Sequence, residues 1–153
     1  QRLMKRPKPP LSVVIVEDEP LIAMDLESMV EDAGHRVVGE AASLYDAEAW
    51  DVSLQPNVAF VDIQLARKTS GLDVSQMIQA RWPDTIIVFV TANPKIIPPD
   101  FAGAHGVISK PITRSGFLAA MQYLQEGVCD PPPTVSLPNS FMASPAFAAS
   151  WQN

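Results

Sequence analysis

Four short runs of the chain, Ser12 to Val16, Asn57 to Val61, Thr85 to Val90 and Gly106 to Ser109, are apolar at nearly every position instead of every second one. A strand with one face in water alternates. A strand buried on both faces does not, and both faces are buried when helices cover a parallel sheet from two sides. Arg36 to Glu40 is a weaker fifth run. Between the runs the apolar residues change to helical spacing. Ile22, Leu26, Val30 and Ala33 share one face, Asp25, Ser28 and Asp32 lie elsewhere on the wheel, and Gly34 stands at the expected stop. Ala47, Trp50 and Leu54 predict a second helix, Val74, Met77 and Ile78 a third, and Phe117, Met121, Leu124 and Val128 a last one closed near Gly127. Strands and helices alternating through short links imply right-handed crossovers and a doubly wound α/β fold around a five-stranded parallel sheet.

The 153 residues suit one core, with no room for separate sensor, catalytic and output domains. The longest unbroken aliphatic and aromatic run, Ile86 to Val90, is far short of the roughly 20 residues that span a bilayer. The apolar stretch after the basic start is stopped by Glu17, too soon for a secretory leader, so the expectation is a cytoplasmic protein with no membrane partner. Cys129 is the single cysteine and can form neither an internal disulfide nor a zinc cluster. Arg2, Lys5, Arg6 and Lys8 lie in the first ten residues with no acid among them, which leaves a net charge of -10 on the rest. A body that acidic disfavours direct DNA binding, which rests on Lys and Arg neutralising phosphates.

Eight of the 15 prolines fall in residues 1–10 and 129–153, while all seven glycines lie between those segments. The expected division is a flexible basic leader over 1–10, a domain over 11–128 and a Pro/Ala-rich, extended tail over 129–153. Phe141, Met142, Phe147 and Trp151 are apolar for a tail, which suits docking on its own domain or on a neighbouring molecule.

Doubly wound folds place their chemistry beyond the carboxyl ends of the strands. Glu17, Asp18 and Glu19 follow the first run, and Asp62 follows VAFV. Two carboxylates about 4 Å apart repel by roughly 4 kcal/mol at an effective dielectric near 20, so this crevice calls for cations. Lys110, at the end of the last run, is one. A hard divalent ion such as Mg²⁺ suits the clustered oxygens as the other. Thr91 adds a hydroxyl at the end of the fourth run. A carboxylate beside a metal, an ammonium and a hydroxyl is suited to accepting a phosphoryl group, with Asp62 as acceptor.

VVIVEDEP, VAFVDIQL, FVTAN and ISKP, in that order and spacing, resemble the receiver domain of two-component response regulators over about residues 11–128. The resemblance implies the flavodoxin-like receiver fold and a stand-alone phosphoacceptor that signals by protein contact or serves as a phosphate relay or sink. It also implies that Glu17 and Asp18 hold Mg²⁺ with Asp62, and that Gln64 adds a backbone carbonyl to the metal. Asp62 would take phosphate from a sensor histidine kinase's phosphohistidine, while Thr91 and Lys110 bind the phosphoryl oxygens. A phosphotransfer or downstream protein is the further partner implied, and a cis bond at Lys110-Pro111 is the family habit. VEDEPLIAMDLE with DIQL is similar to receivers served by HWE-type histidine kinases.

Three features depart from the family pattern. Val107 stands three residues before the lysine, where an aromatic is usual, and nearby His105 reads as an exposed loop histidine. Pro98-Pro99 deprive the expected fourth helix of amide donors, so that helix should be irregular or missing. The loop after Asp62, with Arg67, Lys68, Thr69 and Ser70, looks slightly long. The competing class is a receiver-like interaction module that works without phosphorylation. A dehalogenase-type phosphohydrolase needs a second acid where this chain has Gln64, and a dinucleotide enzyme needs a Gly-rich turn where it has VEDEP.

Overall fold

The structure is a computed structural model that describes residues 8–65 and 70–151; most of the basic leader, and Arg67, Lys68 and Thr69, lie outside the described residues. Its six strands are β1 (Ser12–Val16), β2 (Arg36–Ala41), β3 (Val58–Asp62), β4 (Ile86–Thr91), β5 (Gly106–Ser109) and β6 (Phe141–Ala143). They form one sheet in the order β2-β1-β3-β4-β5-β6. The first five are parallel and β6 is antiparallel to β5, so the expected five-strand count is corrected to six.

The helices are α1 (Pro20–Asp32), α2 (Leu44–Glu48), α3 (Gly71–Arg81), α4 (Arg114–Cys129) and α5 (Pro145–Ser150). Strand side chains alternate between two cores. Val13 and Ile15 of β1 meet Leu26 and Val30 of α1 and Phe117 and Leu124 of α4; Val14 and Val16 meet Ala47 of α2 and Val74 and Ile78 of α3. Both faces are therefore covered, which is why the strands read as unbroken apolar runs. Every residue of β3 and β4 is buried, and each large side chain so buried contributes roughly 1.5–3 kcal/mol.

Gly34 follows α1 with φ 90°, the left-handed stop that the sequence marks. The second helix is shorter than predicted. Ser43 caps it through Asp46 N, it ends at Glu48, and Trp50 and Leu54 pack from a following turn that Asp51 caps. No helix joins β4 to β5. Two 3₁₀ turns, Pro94–Ile96 and Phe101–Gly103, flank Pro98-Pro99 in its place, as the missing amide donors require. Phe101 and Ala102 have φ 57° and 50°, a region that side chains disfavour.

The stretch read as an extended tail is a packed part of the domain. β6 extends the sheet, and α5 lays Phe147 and Trp151 on the α4 side. Gly127 does not close α4, which continues to Cys129; it leaves room for the Trp151 ring, 2.1 Å from where a Cβ would stand. His105 is not an exposed loop residue. Its Nδ1 accepts the Ile87 amide at 3.0 Å, its ring meets Phe147 edge-on at 5.1 Å, and burial lowers its pKa.

Candidate functional site

The parallel register brings the strand ends to one rim. Asp62 closes β3 opposite Val90, Thr91 closes β4 opposite Ser109, and the Lys110 amide donates to Thr91 O at 2.8 Å. Beside them, Glu17 leaves β1 with its amide on Ala41 O at 2.9 Å. Glu17, Asp18 and Asp62 each place a carboxylate oxygen within 4.8 Å of the others, and Lys110 reaches across to Glu17 Oε1 at 3.0 Å and Asp62 Oδ2 at 3.3 Å. Four of the residues expected from the sequence thus meet at one point, and Thr91 stands on the same rim. Glu17, Asp62 and Thr91 are buried, at 4%, 5% and 1% exposure, whereas Asp18 and Lys110 stay partly open. Solvent reaches the pocket along that open side.

Backbone amides set the carboxylate orientations. Asp62 Oδ1 accepts the Gln64 amide at 3.0 Å and Glu17 Oε2 the Glu19 amide at 3.2 Å, leaving Asp62 Oδ2 to face the ammonium. Thr91 Oγ1 accepts the Asn93 amide at 3.0 Å and keeps its own hydrogen to donate. Gln64 and Ser70 form an isolated antiparallel bridge across the loop, and Ser70 caps α3 through the Leu72 amide. α3 can start this close to β3 because residue 71 is glycine: a Cβ there would lie 2.1 Å from Asp62 O. Gly71 was not among the residues singled out from the sequence; its one signal is a glycine opening a helix-period segment soon after a strand-end carboxylate.

The charge balance is incomplete. Burial, and then the neighbouring Asp62 carboxylate, push Glu17 up to about 7 despite the pull of Lys110. Burial lowers Lys110, but the Glu17 and Asp62 carboxylates outweigh it and hold its pKa above the usual lysine value. Glu17 Oε1 is buried and lacks a hydrogen bond of good geometry, having the ammonium beside it as a charge contact. A buried carboxylate oxygen in that condition, converging with two other carboxylates, fits a hard divalent cation. The group can therefore hold a cation and, next to it, an anion that touches Thr91 and Lys110.

The Lys110-Pro111 bond is cis. Val107 is buried in the core shared with α2 and α3 and pairs with Met142 of β6.

A family model described as the response regulator receiver domain matches residues 13–122. Among curated proteins, the phyllosphere-induced regulator PhyR of Methylorubrum extorquens is 42% identical over 84 residues, 54% of this chain and 31% of that protein. The chain thus spans about a third of the length of that relative. Among solved structures, the PhyR receiver domain of Erythrobacter litoralis superposes with a TM-score of 0.67 at 30% identity, covering 82% of this chain and 97% of that one. The anti-anti-sigma factor PhyR of Bartonella quintana gives 0.62 at 34% identity, covering 76% and 46%.

Proposed function

Because the chain belongs to the response regulator receiver family, we propose that Asp62 accepts a phosphoryl group from the phosphohistidine of a sensor histidine kinase of the HWE type. An Asp62 carboxylate oxygen attacks phosphorus; the new O–P bond forms as the N–P bond breaks, and its electron pair leaves on the imidazole nitrogen. Such transfer is mostly positioning and charge neutralisation. Here Lys110 would hold one equatorial oxygen of the phosphoryl group and Thr91 Oγ1–H another. Glu17, Asp18 and Asp62, with the Gln64 carbonyl, would hold Mg²⁺. When bound, that ion supplies the remaining neutralisation of the phosphoryl oxygens.

The observation that carries this reading is Lys110 Nζ standing between Glu17 and Asp62 with Thr91 on the same rim. A solvated set of strand-end acids would leave these carboxylates exposed, not buried against an ammonium. The phosphorylated protein would act in the cytoplasm, by contact with a phosphotransfer or downstream protein or as a relay or sink. No described helix is long and apolar enough to cross a membrane.

Intact-mass spectrometry after incubation with acetyl phosphate and Mg²⁺ tests the proposal. One phosphoryl adduct on the wild type, lost in Asp62→Ala and lost when the divalent ion is chelated, is the expected result. Absence of an adduct, together with absence of beryllofluoride binding, would turn the reading to phosphorylation-independent protein binding.

A further inference from the structure

The body carries two glycines that its own secondary structure does not ask for. Gly106 opens β5, where glycine weakens a strand, and Gly127 sits in the last turns of α4, where it costs a helix about 1 kcal/mol relative to alanine. Both are sockets. A Cβ on Gly106 would stand 2.3 Å from the Phe141 ring, and one on Gly127 would stand 2.1 Å from the Trp151 ring. The rings they admit belong to a segment with no charged residue from Pro131 to Asn153.

That segment binds as a peptide ligand would. Phe141, Met142 and Ala143 pair with Ile108, Val107 and Gly106, and the Ser144 amide continues the pairing onto His105 O at 2.8 Å. Ser144 Oγ then caps a short helical turn through Phe147 N at 3.1 Å. The turn brings Phe147 and Trp151 to a 4.3 Å ring separation, with Trp151 5.4 Å from Tyr123 of α4. The ladder to β5 has three paired positions, against four or five between each pair of parallel neighbours. Upstream, the connection is held at separate points, where Thr134 and Val135 meet Glu126 and where Ser140 Oγ donates to Gly116 O at 2.7 Å. Backbone pairing along a sheet edge with pockets for alternate side chains is the general mode of strand addition.

We infer that the β5 edge and the adjoining α4 face form a peptide-accepting surface, and that residues 138–151 are its internal ligand. The occupant in trans is a partner protein's uncharged extended strand carrying an aromatic residue, followed by a serine-capped turn with aromatics four residues apart. Neutrality follows from the segment now seated there, which makes backbone and aromatic contacts with β5 and α4 in an otherwise acidic domain. The surface also adjoins the lysine loop: Ile108, Ser109, Pro111, Thr113 and Phe117 line one cleft together with Ser140. The inference concerns binding and stands apart from phosphoryl chemistry at Asp62.

The test uses the full chain with Phe147→Ala and Trp151→Ala, which empties the outer bed and leaves Phe141 in place. The probe is a fluorophore-labelled synthetic peptide of residues 138–151, followed by anisotropy. Saturable binding to this variant is expected, at least tenfold weaker binding to the wild type, whose own segment competes, and loss of binding when Gly127→Leu is added. Gly127→Ala alone should keep a cooperative melt while amide exchange at Met142 and Ser144 accelerates. No saturable binding to a variant that still melts cooperatively overturns the inference. So does equal binding to the Gly127→Leu chain, which marks adhesion, and so does loss of cooperative melting in both the double variant and Gly127→Ala, which makes the segment plain core.

Discussion

The Gln79 side chain on α3 donates to the carbonyl of Ala102 at 3.0 Å, and Ala102 is held at φ 50°. Left-handed backbone costs a non-glycine residue roughly 1–2 kcal/mol, so the turn persists because other groups fix it. Gln76 donates to the same carbonyl at 3.0 Å, the Ala102 amide reaches Asp100 Oδ1 at 2.9 Å, and Phe101 is buried. Gln79→Ala removes the hydrogen bond to Ala102 O and the one from Gln79 Nε2 to Ser75 Oγ at 2.9 Å, each worth about 1 kcal/mol, and should lower the urea midpoint modestly. It should also speed amide exchange at 100–104 without touching exchange in β3. Ala102→Gly should leave that turn in place.

Phosphorylation should act on the same segment. Thr91 Oγ1 currently accepts the Asn93 amide that opens it, and in the proposed function that hydroxyl turns to a phosphoryl oxygen. With Val107 in place of an aromatic and buried in the core shared with α2 and α3, the strained stretch after Asn93 is the element positioned to respond. Hydrogen exchange with and without beryllofluoride and Mg²⁺ should differ over 92–104. Identical exchange there, with beryllofluoride bound, would remove this segment from the switch.

The sheet and the site were legible because they are written locally. Two-sided burial leaves unbroken apolar runs such as Ile86–Val90, and parallel topology forces Glu17, Asp62, Thr91 and Lys110 to one edge. The absent helix was legible for a covalent reason, Pro98-Pro99. β6 and α5 were not, because three and six residues are too few to show a period and their partners lie far away in sequence. Gly106 and Gly127 carried that information, but a glycine in a strand or near a helix end reads first as a weak spot or a stop; its meaning comes from Phe141 and Trp151.

Gly71→Ala tests how tightly α3 is bound to the acceptor strand. The new Cβ would lie 2.1 Å from Asp62 O and 2.7 Å from Ile63 Cα, both backbone atoms that cannot swing away. Overpacking of this kind costs roughly 1–3 kcal/mol. The expected outcome is a lower melting temperature together with a slower rate of acetyl phosphate adduct formation, since the Asp62 carboxylate moves with its backbone. A lowered melt with an unchanged rate would show that the strain is absorbed by α3.

Both histidines serve as acceptors for parallel strands. His35 Nδ1 takes the Leu11 amide at 2.9 Å and His105 Nδ1 takes the Ile87 amide at 3.0 Å, and burial lowers both pKa values from 6.5. A lowered histidine binds its proton less readily folded than unfolded, so its contribution is complete above about pH 6.5 and is lost as pH falls below it. The histidine part of the urea midpoint should therefore decline from pH 7 to pH 5, against a gain over the same interval from Glu17, whose pKa is raised from 4.5 to about 7. His105→Asn and His35→Asn should each flatten the decline; an unchanged slope in both would place the pH dependence elsewhere.

Glu126 gives the C-terminal segment an acid limit of its own. Its Oε1 accepts the Thr134 hydroxyl at 2.5 Å and the Thr134 and Val135 amides at 2.8 and 3.3 Å, and the Thr134 hydrogen bond first, with these amides, holds its pKa at about 2. A lowered carboxylate stabilises above its unfolded value of 4.5, and that stabilisation is lost as pH falls from there toward 2. Over this range the fixing of residues 134–135 should weaken, and amide exchange at Thr134 and Val135, corrected for the intrinsic pH effect, should rise before that in β3. Glu126→Gln removes the charge but retains an acceptor oxygen, so it should show the loosened exchange already at pH 7 and little further change on acidification. If Glu126→Gln keeps the wild-type protection at pH 7, the clasp owes its hold to shape and not to charge.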